Sequence, residues 1–238
     1  VTHDRRRFLA ATIAAFATAP VSSASTQPVA RRTGALTKEQ RDRLTPQQVL
    51  EELKSGNERF RSGQMMLRDY LNQQRATAAG QFPAAAVVGC IDSRAPAELI
   101  FDAGIGDTFN ARLAGNVVND DLVGSLEFAC SVAGAKLLLL FGHTACGAIK
   151  GAIDDVEMGN LTGLLARVKP AISATTFAGE KSSKNAAYVD AVARANVLIG
   201  LENIRRRSPI LGEMEKKNAI QIVGGMYDLG TGAVEFLT

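Results

Sequence analysis

The chain has 238 residues, with 27 Lys and Arg against 24 Asp and Glu, two His, three Cys, no Trp and a net charge of +3. At 46% hydrophobic and 21% charged residues it can build a core, which excludes wholesale disorder. Three cysteines are too few for a disulfide-stapled scaffold, and no run of about 18 strongly apolar residues after residue 30 signals a membrane span.

Residues 1–24 read as an export signal. Arg5-Arg6-Arg7 precede Phe8-Leu9 and an alanine-rich apolar run to Ala19, and Ser22-Ser23-Ala24 supply the small residues of a cleavage site. Arg5-Arg6-x-Phe8-Leu9 also resembles the twin-arginine signal, so the expectation is export, already folded, to the periplasm. Removing the segment leaves 24 Lys and Arg against 23 Asp and Glu, a net +1, with no basic stripe for nucleic acid and no stable membrane insertion expected. It also removes His3 and leaves His143 alone, which excludes any mechanism needing a histidine pair.

Residues 25–44 are polar, contain Pro28 and Gly34, and read as a linker. Residues 45–238 are expected to form a single domain. Thr45-Pro46 opens a helix to 61 that forms an N-terminal helical arm, with Val49, Leu50, Leu53 and Phe60 on one face. Strands are predicted at 84–88, 108–113, 136–141 and 220–223, with an edge strand at 234–237. Helices are predicted at 96–102, 121–133, 146–156, 161–173 and 186–207. The last of these closes on Arg205-Arg206-Arg207, cations that suit the negative end of a helix. Continuous apolar strands alternating with helices imply an α/β fold with a mainly parallel central sheet flanked by helices, and such sheets place function at the carboxyl ends of their strands.

The chemistry gathers at two of those ends. Cys90-Ile91-Asp92-Ser93-Arg94 follows the first strand, and His143-Thr144-Ala145-Cys146-Gly147 follows the leucine-rich one. If the two strands are neighbours, Cys90, His143 and Cys146 meet. Two thiolates and one imidazole suit Zn²⁺, one per chain, and three protein ligands leave a fourth position open, as catalytic rather than structural sites do. The third cysteine, Cys130, lies in an apolar helical pattern and reads as core. Asp92 and Arg94 form the second pair: a guanidinium keeps the carboxylate ionised, ready to accept a hydrogen bond from water that the metal activates.

Cys90-x-Asp92-Ser93-Arg94 followed by His143-x-x-Cys146-Gly147 resembles the zinc signature of the beta-class carbonic anhydrases. Further matches lie at Leu53-Lys54-x-Gly56-Asn57-x-Arg59-Phe60, Arg112-Leu113-Ala114-Gly115-Asn116 and Ser208-Pro209-Ile210-Leu211. The resemblance implies reversible hydration of CO₂ to bicarbonate and a proton, a homodimer or a multiple of dimers, and an arm (residues 46–61) that wraps onto the neighbouring subunit. It implies zinc on Cys90, His143 and Cys146, with Asp92 and Arg94 as the catalytic dyad. Asp92 becomes a ligand itself only in a closed form, and Gly147 offers its backbone N–H to bicarbonate. Gln81, Phe109 and Phe128 match positions that line the CO₂ pocket, although Phe128 lacks the hydroxyl of the tyrosine often found there. Some members close the site under the control of a second bicarbonate, bound near a Trp three residues before the first Cys. Here that residue is Val87, so this control is expected to be absent although Arg112, another residue of that second site, is present. Two other readings use the same ligands: a hydrolase of carbonyl sulfide or carbon disulfide, and a zinc-stabilised interaction module without catalysis. The intact Asp92–Arg94 pair argues against the module.

Overall fold

The structure, a computed structural model, describes residues 31, 32 and 34–237. The expected export signal and the first part of the expected linker lie outside them. The central sheet has five strands in the order β4-β3-β5-β6-β7: β3 (Ala85–Gly89), β4 (Thr108–Arg112), β5 (Leu137–His143), β6 (Gln221–Tyr227) and β7 (Val234–Leu237). All neighbours are parallel except β7, which runs antiparallel to β6 at the edge. A separate two-residue pairing joins β1 (Arg31–Arg32) to β2 (Leu67–Arg68). The expected α/β fold with a mainly parallel sheet is therefore the observed one.

The apolar strands sit where they can be covered on both faces. Every residue of β3 and β5 is buried. Alternate side chains divide between two clusters: Ala86, Val88, Leu138 and Leu140 join Leu122, Leu126 and Leu201 on one face. Ala85, Val87, Leu139 and Phe141 meet Val49, Leu50, Leu53 and Phe101 on the other. A third cluster surrounds Cys90 and Cys146 with Ile149, Val189, Val192 and Val197.

Helices α1 (Lys38–Arg43) and α2 (Pro46–Arg61) each open on a capping box, Thr37 with Gln40 and Thr45 with Gln48. The linker reading of 25–44 thus gives way, from residue 38, to a helix whose buried Arg41 donates to the carbonyl of Ala133. The apolar stripe of α2 lies on its own sheet, and Glu51, Glu52 and Glu58 face outward. Asn57 ties the helix down, donating to the carbonyls of Ile100 and Gly232 and accepting from the N–H of Val234. Where α2 crosses the end of α4 (Ala97–Ile100) only glycine fits: a Cβ on Gly56 would lie 2.0 Å from the carbonyl oxygen of Phe101.

The remaining helices are α3 (Tyr70–Thr77), α5 (Asp120–Glu127), α6 (Gly147–Ile153), α7 (Gly159–Ala166), α8 (Lys169–Ala174), α9 (Ala186–Arg207) and α10 (Pro209–Lys216). Several differ from the sequence expectation. The helix expected at 96–102 shrinks to α4, because Asp102 takes a positive φ of 45° and ends it. The one expected at 121–133 is α5 followed by a wider π turn at Phe128–Val132. The one expected at 161–173 is split into α7 and α8, with Pro170, which has no N–H to donate, in the first turn of α8. Helix α9 matches its expected range. Arg205 and Arg207 in its last turn pair with Glu215 and Asp120. No helix of the described residues is long and apolar enough to cross a membrane.

Gly56→Ala should destabilise the fold by roughly 1–3 kcal/mol, the usual cost of overpacking, because backbone rather than a pliable side chain must move. Urea denaturation followed by far-UV circular dichroism measures it.

Candidate metal centre

Strands β3 and β5 are hydrogen-bonded neighbours, with Val88 opposite Leu140. Each therefore releases its chain at the same end of the sheet, and there Cys90, His143 and Cys146 converge. Their donor atoms all lie within 4.8 Å of one another, and all three residues are buried.

Backbone groups set the donors. Nδ1 of His143 lies 2.9 Å from the carbonyl of Thr144. A carbonyl only accepts, so Nδ1 carries the proton and Nε2 the lone pair. That Nε2 is buried and has no hydrogen-bond partner. A buried polar atom left without a partner is costly, and here it faces two sulfurs. The sulfur of Cys90 accepts the N–H of Gly115 at 3.3 Å, and Gly115 stands at a φ of 65° in the 3₁₀ turn Ala114–Asn116. The neighbouring Cys146 sulfur holds the Cys90 thiol below the usual thiol range, with burial opposing and His143 assisting. The same contact with Cys90, followed by burial, pushes the Cys146 thiol up. A divalent cation between the two sulfurs would displace their thiol protons. Two thiolates and one imidazole lone pair, with donors within 4.8 Å of one another, would suit zinc, which binds sulfur and nitrogen at about 2.0–2.3 Å.

Asp92 borders this group. Arg94 grips it at two points, Nε to Oδ1 at 3.0 Å and Nη2 to Oδ2 at 2.8 Å, and adds its backbone N–H to Oδ1 at 2.9 Å. The guanidinium, through its hydrogen bonds, holds the Asp92 carboxyl well below the usual carboxylate range against the opposing effect of burial. Oδ2 of Asp92 stands 3.8 Å from Nε2 of His143. Gly147, exposed, opens α6 directly after Cys146.

The other expected pocket residues lie elsewhere in the chain. Gln81 is exposed in the loop before β3, at the opposite end of that strand from Cys90. Phe109 pairs with Ala86, four positions before Cys90, or about 13 Å along the strand. Its ring lies 6.2 Å from that of Phe128, edge to face, and the two line an open groove with Ala86 and Val87. The structure does not bring these three to the metal ligands of their own chain. Cys130 is 2% exposed, and burial pushes its thiol up to about 12, in keeping with a core residue.

Sequence reasoning named Arg112 only for a second bicarbonate site, and it missed Asp190 and Asn196 as supports of the metal loops. Arg112 donates through Nε to the carbonyl of Cys90 at 2.8 Å and through Nη2 to that of Asp92, bracing the loop between them. Asp190 accepts the N–H of Ala145, and Asn196 donates to the carbonyl of Gly115. Polar residues on the inner face of a long helix were the one available signal.

Comparison with known proteins is consistent with this geometry. The family model described as carbonic anhydrase matches residues 85–234. Carbonic anhydrase 2 of Mycobacterium tuberculosis is 35% identical over 182 residues, covering 76% of this chain and 87% of that protein. The carbonic anhydrase of Mycolicibacterium smegmatis is 32% identical, covering 77% and 89%. A solved beta-carbonic anhydrase of Sordaria macrospora, described as tetrameric, aligns with a TM-score of 0.59 at 27% identity, covering 67% of this chain and 83% of that one. On a family match spanning more than half its length, and relatives above 30% identity over three quarters of it, this chain belongs to the carbonic anhydrase family, in its beta class.

Proposed function

We propose that the protein catalyses the zinc-dependent, reversible hydration of CO₂ to bicarbonate and a proton. The observation that carries this reading is the buried, unpartnered Nε2 of His143 beside two cysteine sulfurs and an arginine-locked carboxylate. Cys90, His143 and Cys146 would hold one zinc ion per chain. Bound there, zinc supplies Lewis-acid activation, which lowers the pKa of water from 15.7 toward about 7.

The chain's own groups do the rest. Asp92, kept ionised by Arg94, can accept but not donate a hydrogen bond, so it orients the attacking water with a lone pair toward the CO₂ carbon. The two-point grip of Arg94 favours this open arrangement over one in which Asp92 swings in as a ligand. The N–H of Gly147 lies in the first turn of α6, where no preceding carbonyl of the helix can satisfy it, and it is available to an oxygen of the product. With no second histidine in the mature chain, solvent, buffer or an acidic residue takes the proton. Val87 is buried beneath α2 and Arg112 is engaged by two backbone carbonyls, which supports the absence of control by a second bicarbonate.

The reading extends to a homodimer. Gln81, Phe109 and Phe128 can line a CO₂ pocket only at another chain's metal site, and Phe128 is 53% exposed at the rim of its groove. It extends also to export: residues 1–24 would be removed by the periplasmic peptidase after passage in folded form. Zinc binding before passage would keep Cys90 and Cys146 from pairing in an oxidising compartment.

Stopped-flow hydration should track zinc content, vanish on chelation and return on adding zinc. A metal-free sample with full activity would overturn the assignment, and faster turnover of carbonyl sulfide than of CO₂ would change the substrate. Asp92→Ala should retain zinc while kcat falls by about 100-fold or more, the usual scale for a positioned acid–base group. Phe128→Glu should shift the mass in solution, measured by light scattering, from dimer to monomer and lower kcat/KM with it.

A further inference from the structure

Both halves of the metal cradle hang from one helix. On the His143–Cys146 side, Ala145 stands at a φ of 54°, a left-handed conformation that costs a residue with a Cβ roughly 1–2 kcal/mol. Its N–H is caught by Oδ1 of Asp190 at 2.9 Å, 45 residues away in sequence on α9. On the Cys90 side, the sulfur takes the N–H of Gly115, and the carbonyl of the same Gly115 takes Nδ2 of Asn196 at 2.8 Å. Asn196 is six residues beyond Asp190 on the same helix and is buried.

The helix is itself immobilised against the strand that carries His143. A Cβ on Gly200 would lie 2.5 Å from the side chain of Leu140, and one on Gly142 would lie 2.9 Å from that of Val197. Such close approach leaves no slack between α9 and β5. A helix held this tightly, with one acceptor on the turn between two ligands and one donor on the turn behind the third, fixes how far apart the two turns sit.

We propose that Asp190 and Asn196 are positioning residues that set the separation and orientation of the metal ligands, with α9 as a common template. Neither touches a donor atom: Asp190 acts through the backbone of Ala145, and Asn196 acts through Gly115 on the sulfur of Cys90. The proposal rests on the metal-binding reading above and concerns affinity and ligand geometry, which can be measured without turnover.

The experiment compares full-length wild type, Asp190→Ala, Asp190→Asn, Asn196→Ala and Arg205→Gln. Zinc affinity is read by competition with a chromophoric chelator, and ligand geometry by the visible spectrum of the cobalt-loaded protein. Asp190→Ala and Asn196→Ala should bind zinc about 10–100-fold more weakly, the usual effect of removing a group that orients a ligand, with altered cobalt bands. Asp190→Asn keeps an acceptor oxygen and should stay within about threefold of wild type, on the same principle. Arg205→Gln, which breaks the ion pair to Glu215 at the far end of α9, should lower the melting temperature and leave both metal readings unchanged. Folded alanine variants with wild-type affinity and spectrum would overturn the proposal, as would an equal loss in Arg205→Gln. Should an alanine variant not fold, the isosteric Asn196→Asp, which as a carboxylate cannot donate to Gly115, decides by the same two readings. A wild type that binds no metal would instead strike at the functional reading itself.

Discussion

The parallel pairing of β3 with β5 is the constraint on which the rest depends. Parallel strands end on the same side of a sheet, and the register that sets Val88 opposite Leu140 carries Cys90 level with the start of Gly142-His143. A slip of one residue would exchange the faces of all four side chains of β3. Because those side chains fill a different cluster on each face, such a slip is penalised by the whole core. The positions of the metal ligands are thus secured by leucine and valine packing far more than by attraction among the ligands.

What happens beyond the strand ends is decided by backbone hydrogen bonds. Each loop leaves its strand with donors and acceptors that water cannot reach, and each is given a fixed partner: Thr144 for His143, Gly115 for Cys90, Arg112 for the carbonyls of Cys90 and Asp92. Unmet buried groups are expensive, so these bonds act as restraints even where each contributes little net stability. Nε2 of His143 is not given such a partner, and its lack of one beside two sulfurs is what marks the centre chemically.

Much of this was legible before any coordinates. Ligand chemistry admits few residue types, so Cys90, His143, Cys146, Asp92 and Arg94 stood out by kind and spacing. Strands β3 and β5 were visible as short unbroken apolar runs, and α9 as a long helical segment closing on three arginines. Helices α1, α3 and α10 are short, so periodicity was too weak to draw them, although Ser208-Pro209 held the capping signal that α10 uses. The π turn after α5 and the break between α7 and α8 change the path of the chain without changing its apolar pattern. Gln81, Phe109 and Phe128 came from resemblance alone, which says nothing about which subunit a residue serves. Asp190 and Asn196 left no trace beyond being polar residues on the inner face of a helix, since a bond from a side chain to a backbone group 45 or 81 residues away has no local signature.

The deep burial of Cys130 has a chemical consequence for the intact protein. Thiolate is the form that oxidants and electrophiles attack, and a thiol whose pKa is raised to about 12, at 2% exposure, offers almost none of it. With Cys90 and Cys146 engaged by an ion, no thiol of the chain would remain open to exchange with a foreign disulfide. Oxidation of Cys90 or Cys146 would then go together with loss of the ion, so that metal release and thiol oxidation become two records of one event.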